Sequence, residues 1–353
     1  MEKFSILFFL SLILGLKISE KVYQYKEEIV VNQDKWESDF FPIEEFKFYE
    51  LTFYSLSAEK NYWAIFFFDE NKNQLLADNY SSFDSSEKFA KNQFFFRGKC
   101  RAKYGKLIFH KTKKENQSFK IKEISIKKTT DKKILEYLNK EKKKIPEVKK
   151  FKVEKKFIPE TLSRLKKGEK IRIVMLGDSI INDIGNSFYD VLIKSVYPKA
   201  KIEVITSVKG GTGCWYYEKE NRVKEFVLDY KPDLLIIGGI SNRDDVESIR
   251  NVIRQVREKQ NPEIIVMSKA VGKEGDPRTN PQWTDEIVEN TYRDRLRKLA
   301  EQEKIEFFDI EKYWGEYIKN SNLPYDLFLR DPVHANELGR VVLAYLLFYY
   351  FVD

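Results

Sequence analysis

A serine, an aspartate and a histidine in the second half of the chain have the side chains that acyl transfer requires. Ser179 follows an apolar run that ends in a glycine and an aspartate, and Asp331 precedes His334 by three residues. A serine hydroxyl is a poor nucleophile until a base takes its proton, and an imidazole does this best when a carboxylate fixes its tautomer and orientation. A single turn can place Asp331 against one imidazole nitrogen while the other nitrogen faces Ser179. The three residues therefore predict a nucleophile, a base and an orienting acid.

Both stretches also have a purely structural interpretation. Asp178 or Ser179 could simply cap the helix that follows the apolar run, and Asp331 or Asn336 could cap the helix that closes the chain. Histidine occurs only twice in the 353 residues. Because histidine is so scarce, one that lies three residues after an aspartate favours the catalytic interpretation.

The elements that would position these residues alternate regularly from residue 171 onward. Apolar runs of strand length are separated by amphipathic stretches of helical length. The five apolar runs cover residues 171–176, 202–208, 233–237, 264–267 and 305–308. Buried strands joined by crossover helices are typical of a parallel sheet covered on both faces, so we predict an α/β fold with a five-stranded doubly wound parallel sheet. Such sheets bind ligands at the carboxyl ends of their strands, where Ser179 stands.

At these residues the chain resembles the SGNH, or GDSL-type, hydrolase family. The resemblance covers residues 171–353 and rests on two blocks, Gly177-Asp178-Ser179-Ile180 and Asp331-x-x-His334. It implies an esterase or deacetylase with Ser179 as nucleophile, His334 as base and Asp331 as orienting acid. It also implies the flavodoxin-like strand order 2-1-3-4-5 in the predicted sheet.

The same resemblance implies three donors for the oxyanion of the transition state, each of which lowers the barrier by roughly 3 to 4 kcal/mol. The first is the backbone N–H of Ser179. The second is a glycine after the second strand, where Gly210 matches the family's Gly-x-Thr pattern and Gly211 stays an alternative. The third is an asparagine after the third strand. The chain departs here from the family's Gly-x-Asn pattern, because it reads Gly-Gly-Ile-Ser-Asn, so Asn242 is the expected donor and Ser241 the alternative.

Four further residues are candidates for the wall of the cleft. Asn182 and Asp183 follow the nucleophile closely and either line the cleft or cap the first helix. Trp215 follows the glycine turn, and Trp283 lies in a long loop. Aromatic side chains near such a cleft favour a sugar substrate, although ordinary packing explains them equally well.

The region before the α/β fold has a different pattern. Residues 20–128 contain short runs rich in aromatic and β-branched residues, separated by turn signals. This pattern predicts an antiparallel β-sandwich, which resembles the jelly-roll modules attached to many polysaccharide-acting enzymes. Residues 129–168 are rich in lysine, with a helical pattern over 131–144, and are predicted to be a solvated linker. The hydrolase domain is then predicted to cover residues 169–353.

The first nineteen residues read as an export signal, since a lysine precedes an apolar run that is too short to span a bilayer comfortably. We therefore expect a secreted or periplasmic protein with no stable membrane span after processing. The net charge of +8 comes from 63 basic and 55 acidic residues, without a cluster of the kind that binds nucleic acid. No metal site or cofactor is expected, because no metal-ligand cluster is visible. The sequence predicts no oligomeric state.

Together these observations predict a secreted serine esterase that removes O-acyl groups, most simply O-acetyl groups, from carbohydrate. An acylated carbohydrate is then the expected partner. A lipid or aryl esterase with the same chemistry is the first alternative. A catalytically inactive sugar-binding protein is the second, and the intact Ser179, Asp331 and His334 speak against it.

Overall fold

A computed structural model describes residues 21–112, 117–271 and 275–352 of the protein. The predicted export signal, residues 1–19, lies outside the described residues and stays a prediction. The described chain forms two antiparallel sheets followed by an α/β unit with a parallel sheet. The two kinds of architecture therefore follow each other in the predicted order.

Ten strands of the described residues form the antiparallel part. They are β1 (Lys21–Tyr25), β2 (Ile29–Val31), β3 (Lys35–Glu37), β4 (Phe41–Pro42), β5 (Phe48–Ser57), β6 (Asn61–Phe68), β7 (Asn79–Phe83), β8 (Ser86–Arg97), β9 (Tyr104–Lys111) and β10 (Phe119–Thr129). One sheet has the order β1-β10-β5-β8 with β2 beside β10, and the other has the order β3-β9-β6-β7 with β4 beside β9. Phe53 of the first sheet packs against Phe109 of the second with ring centroids 4.8 Å apart, and both are fully buried. This face-to-face packing confirms the predicted β-sandwich.

Five parallel strands form the sheet of the α/β part. They are β11 (Lys170–Gly177), β12 (Lys201–Val208), β13 (Leu234–Ile237), β14 (Glu263–Met267) and β15 (Glu306–Phe308). Their order, β12-β11-β13-β14-β15, confirms the predicted order 2-1-3-4-5, and every adjacent pair is parallel. The carboxyl end of β11 is thus flanked by those of β12 and β13. The loops after these three strands meet at one edge of the sheet, where ligands of such folds bind.

Helices cover both faces of this sheet. Those in the described residues are α1 (Asp131–Lys142), α2 (Pro159–Lys167), α3 (Ser179–Gly185), α4 (Tyr189–Val196), α5 (Cys214–Tyr217), α6 (Arg222–Phe226), α7 (Val246–Arg257), α8 (Tyr292–Glu303), α9 (Ile310–Ser321) and α10 (Glu337–Phe351), with 3₁₀ turns at Leu228–Tyr230 and Tyr325–Phe328. Helix α10 is buried along most of its length against α4 and α9, as its apolar sequence predicts. Within the described ranges, none of the helices is both long and apolar enough to cross a membrane.

The lysine-rich segment 129–168 is not the solvated linker that its charge predicts. Helix α1 begins after Thr130, whose side chain accepts a hydrogen bond from the Lys133 N–H at 3.4 Å, and it packs against α4 and α10. Ile134 and Leu138, one turn apart, are 0% and 1% exposed and belong to the core of the α/β part. The apolar side chains recur at helical spacing and are buried, while most lysines remain exposed. The other predicted domain boundaries stay predictions.

Candidate active site

The candidate nucleophile lies at the turn from β11 into α3. Asp178 caps this helix, because its Oδ1 accepts the Ile180 N–H at 3.0 Å, and Ser179 is the first helical residue. Oδ2 of Asp178 accepts the N–H groups of Ile240 and Ser241 at 2.7 Å each. These bonds tie the nucleophile turn to the loop after β13. Asp178 therefore has the capping role, and the hydroxyl of Ser179 is available for another partner.

Two glycines make this close approach of the two loops possible. A Cβ on Gly177 would lie 2.4 Å from the carbonyl oxygen of Gly238. A Cβ on Gly239 would lie 2.5 Å from Asp178 Oδ1, and Gly239 has a φ of +104°. Only glycine adopts such a backbone conformation without strain. The turn after β13 is therefore tightly packed against the nucleophile turn.

The structure brings the three predicted catalytic residues together. Oγ of Ser179 lies 2.8 Å from Nε2 of His334. Nδ1 of the same ring lies 2.9 Å from both carboxylate oxygens of Asp331. A carboxylate can only accept, so Nδ1 carries the ring proton and Nε2 is left to accept the Ser179 O–H. This is the arrangement of a nucleophile, a general base and an orienting acid.

The carboxylate of Asp331 is held in its ionised form. Its Oδ1 accepts the backbone N–H groups of Val333 at 2.9 Å and His334 at 3.0 Å, and Oδ2 lies 3.7 Å from Nε of Arg330. Burial alone would raise the pKa of Asp331. The hydrogen bonds from the His334 ring and the Val333 N–H, together with the charge of Arg330, outweigh burial and lower this pKa to about 2. Asp331 therefore stays charged and can stabilise an imidazolium throughout the neutral range.

The predicted oxyanion donors occupy different positions relative to the nucleophile turn. The N–H of Ser179 lies at the N-terminus of α3, as predicted. Gly210 and Gly211 form an exposed turn in which an added Cβ would meet nothing within 4 Å. The Lys209 N–H donates to the Gly177 carbonyl at 3.3 Å, so this turn starts beside the end of β11. Donation by either glycine stays a prediction.

Asn242, the expected third donor, is 2% exposed and engaged in the protein. Its Oδ1 accepts the Cys214 N–H at 2.7 Å, and its side chain also hydrogen-bonds the phenol of Tyr292. The alternative, Ser241, accepts the indole N–H of Trp215 on its carbonyl at 2.8 Å. Both residues thus hold the loop after β13 against α5, and the choice between them as oxyanion donor stays a prediction.

Asn182 and Asp183 neither line an open cleft nor cap α3. Nδ2 of Asn182 donates to the carboxylate of Asp78, in the sandwich, at 2.8 Å. Asp183 is 1% exposed, and its Oδ1 binds Arg330 at 2.7 Å and Arg340 at 2.6 Å. Three and four residues after Ser179, the two side chains project from α3 into the contact with the sandwich and α10. Both side chains therefore hold α3 against its neighbours and do not face an open cleft.

The two candidate tryptophans also differ in position. Trp215 is half-buried at the loops that surround the nucleophile turn. Trp283 is 5% exposed, donates its indole N–H to the Gly275 carbonyl at 3.0 Å and packs on Gly315 of α9. Trp283 is therefore a core residue, and the prediction that it lines the cleft is wrong.

The arginine that precedes the orienting acid is a residue that the sequence analysis missed. Nη1 of Arg330 donates to the Ala335 carbonyl at 2.6 Å as well as to Asp183. Burial alone would raise the pKa of Asp183, but the charges of Arg330 and Arg340 lower it. The only signal in the sequence is an arginine directly before Asp331. Its partner lies 147 residues away, so a local pattern cannot reveal the pair.

The β-sandwich contacts the back of the same loop. The hydroxyl of Tyr62 donates to the Arg330 carbonyl at 3.3 Å, and Nη2 of Arg340 donates to the Tyr80 carbonyl at 2.6 Å. Nζ of Lys99 is buried and donates to Asn186, at the end of α3, at 2.6 Å. The sandwich is thus fastened to the elements that carry the nucleophile, the base and the acid. In the described part of the chain, no group of three or more histidine, cysteine and acidic side chains is arranged to hold a metal ion.

Comparison with known proteins adds only distant structural similarities. No family model matches the chain, and no curated protein matches it. A two-domain esterase active on acetylated mannans, crystallised with mannopentaose, is similar at 17% identity over 54% of this chain and 52% of that chain, with a TM-score of 0.41. This chain therefore spans about half the length of that esterase.

Two further solved structures match one part of the chain each. An α/β hydrolase, LAE5, from the metagenome of Lake Arreo, Spain, is 16% identical over 52% of this chain and 96% of that chain, with a TM-score of 0.38. The CBM22-1 xylan-binding domain of Paenibacillus barcinonensis Xyn10C is 8% identical over 32% of this chain and 97% of that chain, with a TM-score of 0.25. With TM-scores below 0.5, these similarities establish neither a family nor an activity for this chain.

Proposed function

We propose that this chain is a serine ester hydrolase of the SGNH type that removes O-acyl groups from carbohydrate by way of an acyl-enzyme. The observation that carries the proposal is the chain of contacts from Ser179 Oγ to His334 Nε2 at 2.8 Å and from His334 Nδ1 to Asp331 at 2.9 Å. A serine that meets a base held by a carboxylate can be activated for acyl transfer. This geometry favours a catalyst over the inactive sugar-binding alternative.

The reaction would proceed in two halves. In the first, Ser179 Oγ attacks the ester carbonyl while its proton passes to Nε2 of His334, and the tetrahedral intermediate collapses when Nε2 protonates the leaving alcohol. In the second, a water molecule gives a proton to Nε2 and attacks the acyl-enzyme, and collapse of the second intermediate releases the carboxylic acid and restores Ser179. Asp331 stabilises the imidazolium in each half. The N–H of Ser179, at the N-terminus of α3, would be one donor to the oxyanion.

Carbohydrate is the proposed substrate class because a β-sandwich lies directly against the loop of the acid and base. Tyr62 and Tyr80 both contact residues of this loop or of α10 behind it. A lipid or aryl esterase with the same three residues is the alternative. The simplest acyl group is acetyl. We also propose that the protein is secreted or periplasmic, because residues 1–19 have the pattern of an export signal.

A substrate screen tests this proposal. Acetate release from acetylated xylan, mannan and pectin would be compared with hydrolysis of p-nitrophenyl esters of long-chain acids. Higher kcat/KM on an acetylated polysaccharide supports the proposal, and higher kcat/KM on long-chain esters supports the alternative. Hydrolysis of none of these substrates by a folded protein would contradict the assignment as an esterase.

A further inference from the structure

An unusual backbone segment lies in the loop after β13. Arg243 and Asp244 are consecutive non-glycine residues with φ values of 55° and 57°, in the left-handed region. Residues other than glycine, asparagine, aspartate and histidine rarely adopt this conformation, so the strain lies at Arg243, and such strain concentrates at functional sites. The two residues come directly after Asn242, at the edge of the sheet that carries Ser179.

The guanidinium of Arg243 lies over an aromatic ring beside the nucleophile turn. Its central carbon is 3.9 Å from the ring centroid of Trp215. Trp215 donates its indole N–H to the Ser241 carbonyl at 2.8 Å, and the Ser241 N–H donates to Asp178 at 2.7 Å. Two hydrogen bonds therefore link this ring to the residue that precedes the nucleophile. The Arg243–Trp215 pair therefore lies beside the nucleophile turn.

No carboxylate of the described residues forms an ion pair with Arg243, although acidic residues follow it in sequence. Asp244 pairs with Lys269 at 2.9 Å. Asp245 caps α7 and accepts the N–H groups of Glu247 and Ser248 at 3.0 and 3.1 Å. The neighbouring acids thus have other partners. The exposed guanidinium of Arg243 keeps its charge and the hydrogen-bond donors at its edge available.

A second cation has the same arrangement on the loop after β12. Nζ of Lys209, directly before Gly210, lies 4.4 Å from the ring centroid of Tyr216 and 3.3 Å from its hydroxyl. Within the described ranges, no acidic side chain forms an ion pair with Lys209. Arg222 also lies over Tyr216, at 3.8 Å, but it is neutralised by Glu220 at 2.9 Å. We call Arg243 and Lys209, with the rings of Trp215 and Tyr216, the cationic rim.

We propose that the cationic rim binds an anionic group, a carboxylate or a phosphate, on the acylated carbohydrate substrate. This inference rests on the proposed esterase function and narrows its substrate class to acidic glycans. The planar guanidinium of an arginine presents its N–H groups as a fork, which matches the two oxygens of a carboxylate or phosphate. The two cations lie on the loops that flank the nucleophile strand on either side. An anionic sugar ring bound there would lie beside the nucleophile turn, because both loops donate hydrogen bonds to it, from Lys209 to Gly177 and from Ser241 to Asp178.

The test compares one polymer in two charge states. Acetate release would be measured on acetylated polygalacturonate and on the same polymer with its carboxylates converted to methyl esters. We expect kcat/KM to be about tenfold higher on the acidic form at low salt and the preference to shrink as the salt concentration rises. Free galacturonate and inorganic phosphate would also be tested as competitive inhibitors. Inhibition by galacturonate at the lower concentration indicates a carboxylate subsite, and inhibition by phosphate at the lower concentration indicates a phosphate subsite.

Three variants make the test specific to Arg243. R243N removes the guanidinium but keeps a residue that tolerates the left-handed backbone, so the ratio of the two rates should fall to about one without unfolding. R243K should retain part of the preference for the acidic polymer. R222Q is the matched control, because Arg222 also lies over an aromatic ring, that of Tyr216, but forms an ion pair with Glu220, and it should leave the ratio as in the unsubstituted protein.

The outcomes separate this inference from the proposed function. Two results would contradict anion binding by the cationic rim but not the proposed esterase function. They are ester hydrolysis without a preference for the acidic polymer, and a preference that is unchanged in R243N. A folded protein that hydrolyses no ester would overturn the esterase. In that case direct binding of polygalacturonate to the unsubstituted protein and to R243N still decides whether the rim recognises an anion.

Discussion

Nη1 of Arg330 lies 2.7 Å from Oδ1 of Asp183, so a buried ion pair joins the loop of the acid and base to the helix that begins with the nucleophile. Asp331 follows the arginine directly, and Ser179 precedes Asp183 by four residues. The relative position of the nucleophile and its base therefore depends on a pair that itself takes no part in the reaction.

Asp183→Asn should strongly destabilise the protein, because it removes the buried carboxylate that Arg330 and Arg340 share at 2.7 and 2.6 Å. We expect a loss of about 3 to 5 kcal/mol in the free energy of unfolding, measured by urea denaturation at neutral pH. The pKa of Asp183 is lowered by the arginines, so its stabilisation is present at neutral pH and is lost only as the pH falls into the acid range. Asp285→Asn is the control, since it removes an exposed pair with Lys319 and should cost less than about 1 kcal/mol. Equal losses in the two variants would contradict the role of Asp183.

Ser179→Ala should abolish ester hydrolysis with the fold intact, because it removes only the hydroxyl that meets His334. We expect kcat to fall by about 10⁴-fold or more. Acetate release gives the rate, and circular dichroism gives the folding control. A folded variant that retained more than a few per cent of activity would rule Ser179 out as the nucleophile.

The pH dependence should show one acid limb that belongs to the base. With a pKa of about 2, Asp331 stays ionised at every pH in which the enzyme would be assayed. A protonated imidazole cannot accept the proton of Ser179, so kcat/KM should fall on the acid side of the profile. Profiles from pH 4 to 9 measure this.

Asp331→Asn should lower kcat by about 10⁴-fold, because the amide cannot hold the required tautomer. A second transition between pH 3.5 and 5 in the unsubstituted protein would contradict a permanently charged Asp331.

Lys99 should make stability rise with pH. Burial lowers its pKa to about 7, below the value of ~10.4 expected in the unfolded chain. Between these values the unfolded state binds more protons, so the free energy of unfolding increases from about pH 7 to pH 9 through this group. Urea midpoints at pH 6.5 and 9 measure the change, and Lys99→Met should remove the increase. A rise of the same size in both proteins would assign it to other groups.

Removal of the chain before residue 150 should destabilise the α/β part. It deletes α1, whose Ile134 and Leu138 are buried in that core, and each fully buried side chain of this kind stabilises by roughly 1.5 to 3 kcal/mol. A chain that begins at residue 130 keeps this helix and loses only the sandwich. Thermal unfolding of the two truncated chains should therefore give a lower Tm for the shorter one. Equal Tm values would show that α1 contributes little.

The sequence by itself determined the local architecture and the identity of the three reactive residues. Strand-length apolar runs separated by amphipathic stretches suffice for the parallel sheet, because burial on both faces leaves a periodicity that can be read along the chain. Histidine is scarce in this chain, so His334 is a conspicuous candidate for the base. The spacing of His334 from Asp331 reflects a contact within one turn. Each of these inferences depends on neighbours in sequence.

Only the tertiary structure decided which charged and aromatic residues surround the site. Asp183 meets Arg330 across 147 residues, and Arg243 is available because the neighbouring acids bind other partners. Lysine-rich α1 is held in the core by two apolar side chains despite its charge. Such pairings leave no periodic signal, because the free energy of a buried charge depends on which partner the completed fold places beside it.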